Sequence, residues 1–193
     1  MAQLVLIRPG ATNYDDDGRI QGVLDIPLNA HGHAEAAEMA AQLRGLGIEA
    51  VYSTQCLAAR ETARTIAEAL GVRLRWLDRL GNVDQGLWQG MRVADVRRKQ
   101  PKVYRLWQEA PDNICPPAGE VLAEAEQRVR AAVDRLHRRH KQATVALVVR
   151  EPMASLVRRY VLRNPLGDLW KASVEHGRWE LLVAQPAVAL QSG

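Results

Sequence analysis

Apolar residues along the chain alternate between strand-like and helix-like spacing. Gln3–Ile7 is almost continuously apolar, the pattern of a strand covered on both faces of a parallel sheet. Ala36, Met39, Ala40 and Leu43 then recur at i, i+3, i+4 and i+7, predicting a helix that ends at Gly45 and Gly47. Ile48–Tyr52 is a second short strand. Ala59, Thr62, Ala63, Ile66, Ala67 and Leu70 share one face of a second helix, which stops at Gly71. Val72, Leu74 and Trp76 alternate with Arg73 and Arg75, as in a half-exposed strand.

The middle of the chain is less regular. Residues 91–109 have helical spacing but contain Pro101, which predicts two pieces because an internal proline removes a hydrogen bond and clashes with the preceding turn. Residues 110–119 (APDNICPPAG) read as a loop. Leu122, Ala125, Val129, Ala132, Val133, Leu136 and His140 mark a long amphipathic helix. Thr144–Val149 is a strand, Pro152 opens a helix burying Met153, Leu156, Val157, Tyr160 and Val161, and Arg178–Ala184 is a last strand. The order predicts a three-layer α/β/α sandwich with a largely parallel central sheet. Residues 1–185 form a single domain in this reading, and 186–193 a loose tail.

Composition narrows the function classes. The 193 residues carry 26 Lys and Arg against 22 Asp and Glu, a formal charge of +4, and 47% are hydrophobic. Disorder and a membrane-spanning run are thereby disfavoured. The start, MAQLVLIRPG, reads as a strand instead of a signal peptide, so the default expectation is the cytoplasm. Cys56 and Cys115 lack the spacing of a disulfide scaffold or zinc site. His31, His33, His137, His140 and His176 form no metal-ligand motif, so neither metal nor cofactor is expected. Three basic stretches, 92–105, 128–141 and 158–171, invite a nucleic-acid reading, but interspersed Asp95, Asp134 and Asp168 make them solvated helix faces.

Ligands of such sheets bind beyond the carboxyl ends of the strands, which directs attention to Arg8-Pro9-Gly10 and Arg150-Glu151-Pro152. In sequence order, LVLIRPGAT, GRIQGVLDIPLNAHG, VYSTQCLAARETA, LGNVDQGLWQG, PPAGE and VALVVREP resemble the blocks of the histidine phosphatase superfamily, in its phosphoglycerate-mutase-like branch. The resemblance covers residues 3–183. It implies that fold, an insertion at 86–120 covering the pocket, and a homodimer as one state.

The resemblance also implies where the chemistry should be. The family's Arg-His-Gly block, whose histidine becomes phosphohistidine, reads Arg8, Pro9, Gly10, and a peptidyl proline offers no nucleophile. The phosphate-binding asparagine is replaced by Asp15. Thr12, Gln21 and Gly22 are retained. The second, clamping arginine is replaced by Ala58; Arg60, roughly 200° further around the helix, should face elsewhere. The acid is replaced by Asn82, which cannot donate a proton at a useful rate, although the run Gly86, Leu87, Trp88, Gln89, Gly90 persists. The second histidine is replaced by Arg150.

A catalytically inactive relative with a binding or regulatory role is therefore expected, its catalytic positions degenerate at Arg8, Pro9, Ala58, Asn82 and Arg150. Two readings of the pocket stay open. Arg8, Gln21, Gly22 and Arg150 could bind a small anion such as phosphate, a phosphosugar or a carboxylate; alternatively, Asp15 and Glu151 neutralise the two arginines. A protein partner is the other expected ligand. Trp88 and Trp107 could form an apolar wall of the pocket. The competing functional expectation is a phosphomonoesterase or mutase-type enzyme with a displaced mechanism through Asp84, Glu151 or Cys56.

Overall fold

In the computed structural model, residues 3–183 are described. Five strands, β1 (Gln3–Arg8), β2 (Ile48–Ser53), β3 (Arg73–Trp76), β4 (Thr144–Val148) and β5 (Arg178–Leu182), form one sheet in the order β3-β2-β4-β1-β5. All neighbouring pairs are parallel except β1 with β5, where Val5 opposes Leu181. The sheet is thus largely parallel with one antiparallel edge. The expected end of the last strand at Ala184 and the expected loose tail lie outside the described residues.

The period-two geometry of β1 explains its unbroken apolar run. Val5 and Ile7 pack with Met39 and Ala40 of α2 (Ala30–Gln42), with Leu43 at its C-terminal cap, and with Ala59, Ala63 and Ile66 of α3 (Leu57–Leu70). Leu4 and Leu6 face the opposite layer, built from α6 (Leu122–Arg139) and α7 (Met153–Leu162). Residues 4–7 of β1 are therefore covered by helices on both faces of the sheet, giving the three layers.

Four smaller α-helices remain among the described residues, and the first and last of them escape the apolar pattern. Helix α1 (Asn13–Asp16) has no periodic face; it is nucleated by a capping box between Thr12 and Asp15. Between β3 and α6 lie α4 (Val93–Lys99) and α5 (Pro101–Glu109), with Pro101 at the start of the latter, where its missing N–H is harmless. Helix α8 (Leu169–Ala172) is capped by Asp168, whose carboxylate accepts from the N–H groups of Trp170 and Lys171.

These pieces meet in an aromatic cluster. Trp88 and Trp107 cross edge to face at 5.5 Å, Trp170 lies 5.6 Å from Trp88, and Tyr104 stacks on Trp170 at 5.2 Å. Trp88 and Trp107 are buried in the main core, so they anchor the 86–120 segment to the α6/α7 layer. Gly86 (φ +50°) permits the close approach of this segment to residues 117–119, because a Cβ there would lie 2.1 Å from the Pro117 carbonyl oxygen. No described helix is long and apolar enough to cross a membrane.

Candidate functional site

The chain leaves β1 for β2 and β3, then returns to insert β4 between β2 and β1. This reversal puts the carboxyl ends of β1 and β4 side by side, and Arg8 and Arg150 at the crevice where open α/β sheets bind ligands. The loop after β1 is held tightly. Gly10 donates its N–H to Thr62 Oγ1 at 3.1 Å, and Gly177 donates to the Pro9 carbonyl at 2.7 Å. Gly10 and Gly32 sit back to back: a Cβ on Gly10 would lie 2.2 Å from the Gly32 carbonyl oxygen. Such contacts keep the glycine of the block whether or not chemistry occurs beside it.

Arg8 is buried and engaged by carboxylates. Its Nε donates to Glu151 Oε1 at 2.6 Å and its Nη1 to Glu180 Oε1 at 3.0 Å, while Glu175 stands 3.5 Å away. The other oxygen of Glu151 accepts the Ser155 N–H at 3.1 Å. Burial works against the Arg8 charge, but Glu151 and Glu180 outweigh it and hold the guanidinium above its ordinary range. For Glu151, burial dominates and pushes the carboxyl up, partly offset by Arg8 and the bonds to Ser155.

Arg150 is matched in the same way on the other side. Its Nη2 donates to Asp15 Oδ1 at 2.9 Å. Gln21 Nε2 donates to the same Asp15 oxygen at 2.8 Å and to Thr12 Oγ1 at 2.9 Å. Asp15 Oδ2 accepts from both the N–H and the hydroxyl of Thr12, at 2.7 and 2.8 Å. The carboxylate is thus saturated with donors. Asn82 ties the two halves together, its Nδ2 donating to the carbonyls of Gly22 at 2.7 Å and Glu151 at 3.1 Å. A glutamate could donate to neither. Buried polar atoms without a partner remain at Gln21 Oε1, Asn82 Oδ1 and Arg150 Nε.

Ala58 lies in the first turn of α3, fully buried against Leu28 and Ala36. Arg60 turns away and places its guanidinium 5.8 Å from the Trp76 ring. Of the residues expected for a displaced mechanism, Asp84 accepts the Gly86 N–H at 2.8 Å and Glu151 is paired as above. Cys56 sits at the start of α3, 3.7 Å from Thr54 Oγ1. Of the histidines, His176 and His31 flank Glu35, which accepts the Ala11 N–H of the loop after β1 at 2.8 Å, and His140 bonds Tyr52. Among the described residues no group of three or more His, Cys, Asp or Glu is arranged to hold a metal.

Sequence reasoning missed two further carboxylate partners of Arg8, Glu175 and Glu180. Glu180 lies on β5, 172 positions away, and nothing local marks it; only the antiparallel pairing of Arg8 with Arg178 brings it near.

Comparison with known proteins agrees with this architecture. Phosphoserine phosphatase 1 of Hydrogenobacter thermophilus is 29% identical over 182 residues, covering 94% of this chain and 86% of that protein. The Bifunctional protein Rv2228c of Mycobacterium tuberculosis is 30% identical over 174 residues, 90% of this chain but only 48% of that longer protein. The structure of a mycobacterial glucosyl-3-phosphoglycerate phosphatase in complex with VO3 superposes with a TM-score of 0.82 at 25% identity, over 94% of this chain and 92% of that one. The family profile described as histidine phosphatase superfamily (branch 1) matches residues 4–187. With that profile spanning nearly its whole length and the sheet reversal in place, the chain belongs to the histidine phosphatase superfamily.

Proposed function

We propose that this chain is a catalytically inactive member of its superfamily that serves a binding or regulatory role. The observation that carries this reading is the pair of buried ion pairs, Arg8 with Glu151 and Arg150 with Asp15, flanking a proline where the nucleophile would stand. A phosphoryl group needs cationic donors aimed at its oxygens. Here those donors face carboxylates that would repel a phosphate dianion. Pro9 supplies no lone pair for attack, and Asn82 supplies two N–H donors to carbonyls in place of a transferable proton. Binding free energy cannot replace a missing nucleophile, acid and clamp together.

The test is turnover of phosphoserine, 3-phosphoglycerate and p-nitrophenyl phosphate by extensively purified protein, with acid quenching to trap any phosphoenzyme. No turnover above buffer and no trapped phosphate are expected. A rate that persists through further purification and falls in Arg8→Gln, Glu151→Gln or Cys56→Ser protein would overturn the reading in favour of a displaced phosphomonoesterase mechanism.

A further inference from the structure

A second concave site lies away from the pocket, between the edge strand β3, the loop that follows it, and α6. It encloses about 720 Å³, within the range of small-molecule sites. Six arginines line it, Arg75 and Arg79 from the β3 side and Arg128, Arg135, Arg138 and Arg139 from α6, against two carboxylates, Asp78 and Glu124.

Local spacing accounts for each half of this lining. Positions 128, 135 and 139 are two turns and one further turn apart, so α6 presents them as a stripe. On β3, alternation sends Leu74 to the α3 layer and Arg75 to the opposite face, beside its cross-strand neighbour Tyr52, which also lines the cleft.

The charge in this cleft is not internally balanced. Arg128 is the exception, bonded to both Glu120 oxygens at 2.7 Å. Among the described residues, Arg75, Arg79, Arg135, Arg138 and Arg139 have no carboxylate within 4.0 Å, and Asp78 accepts from Gln55 at 2.6 Å. Arg75 Nε is moreover buried with no hydrogen-bond partner. The contrast with Arg8 and Arg150 is direct: the family's ligand crevice has been neutralised, while this cleft keeps five free guanidinium groups.

We infer that this cleft binds a small molecule carrying clustered phosphates. Guanidinium forks match phosphate oxygens bidentately, and five of them lining one cleft fit a chain of two or three phosphates better than a single anion. Like charges held this close repel one another, and a polyanion relieves that repulsion on binding. Trp76, 39% exposed at the rim, offers a ring to a ligand that also carries a base. The short lining, one helix stripe facing one strand and its loop, favours a compact ligand over a long strand. The inference does not depend on whether the family pocket is inactive.

The experiment is calorimetric titration of the full chain with inorganic tripolyphosphate and, separately, with adenosine triphosphate, both without metal. Wild-type protein is expected to bind one equivalent, to melt at a higher temperature in its presence, and to weaken with added salt. Arg135→Gln/Arg139→Gln protein, changed only at exposed positions, should keep its unliganded melting temperature and bind at least ten-fold more weakly; Arg79→Gln is the independent second variant. Tighter binding of adenosine triphosphate with quenching of Trp76 would identify a nucleotide source, and equal binding an aliphatic or inorganic one; both support the site. Failure to saturate below about 1 mM would overturn the inference. So would equal binding by the variants, or preferred binding of single-stranded RNA with affinity rising with length.

Discussion

Arg150 reaches across from the end of β4 to place Nη2 2.9 Å from Asp15 Oδ1, in the short helix that follows β1. Both side chains are almost wholly buried, so the pair lives where an uncompensated charge is costly. Replacing Asp15→Asn should therefore destabilise the protein by about 3–5 kcal/mol, the usual cost of stranding one buried partner. Adding Arg150→Met should recover part of that loss, because the stranded charge is then gone. Urea unfolding of both single variants and the double variant measures the coupling, and additive losses would show that the two residues act independently.

Asn82 supports the same closed arrangement with two N–H donors to the carbonyls of Gly22 and Glu151. Asn82→Glu introduces the residue type that the family resemblance implies at this position, but it removes both donors and adds a carboxylate beside Glu151. A loss of about 1–3 kcal/mol is expected. Asn82→Gln, which keeps the amide, should lose less in the same chemical denaturation experiment.

Much of this architecture is legible in the residues themselves. Continuous burial of β1, the apolar stripes of α3 and α6 and the break at Pro101 follow from spacing alone. Helix α1 has four residues and no period, and its signal is instead the Thr12-x-x-Asp15 capping box. For the site, chain order indicates which blocks converge, but not how the charges pair. Asp15 and Glu151 are near the arginines by position, whereas Glu180 arrives through sheet pairing. The basic stretch of α6 reads as a solvated face because Arg75 and Arg79, which complete its cleft, belong to a different part of the chain.

Burial raises the Glu151 carboxyl above its ordinary value of 4.5. The folded protein then holds that proton more tightly than the unfolded chain. Its contribution to stability is fully present below about pH 4.5 and is lost as pH rises through the raised folded value. Glu151→Gln should remove this decline and flatten stability against pH above about pH 4.5. Urea midpoints collected across that range for both proteins check it; identical slopes would show that Glu151 binds its proton equally in both states.

His137 and His140, near the end of α6, act in the opposite direction. Burial lowers both below the ordinary 6.5, and His137 Nε2 is buried without a partner. Below about pH 6.5 the unfolded chain takes up protons that the folded protein resists, so stability is lost as pH falls toward the lowered values. His137→Leu should remove part of that loss, and thermal melts between about pH 7.5 and about pH 5 measure it.

Ala58 bears most directly on the proposed inactivity and on whether residue type alone could reverse it. Its methyl group is completely buried in the first turn of α3 and fills the space between Leu28 and Ala36. An arginine there must push those apolar neighbours apart, and the nearby carboxylates of Asp25 and Glu61 are already accepting the N–H groups of Leu57 and Leu28. Overpacking of this kind costs about 1–3 kcal/mol. Ala58→Arg should thus lower the melting temperature, whereas Arg60→Ala, on the other side of the same helix, should lose only its exposed contact with Trp76. Neither variant should gain phosphatase activity, because the crevice would still hold Pro9 and two neutralised arginines. A stable Ala58→Arg protein that binds vanadate while the parent does not would show instead that the packing yields and the clamp can be rebuilt.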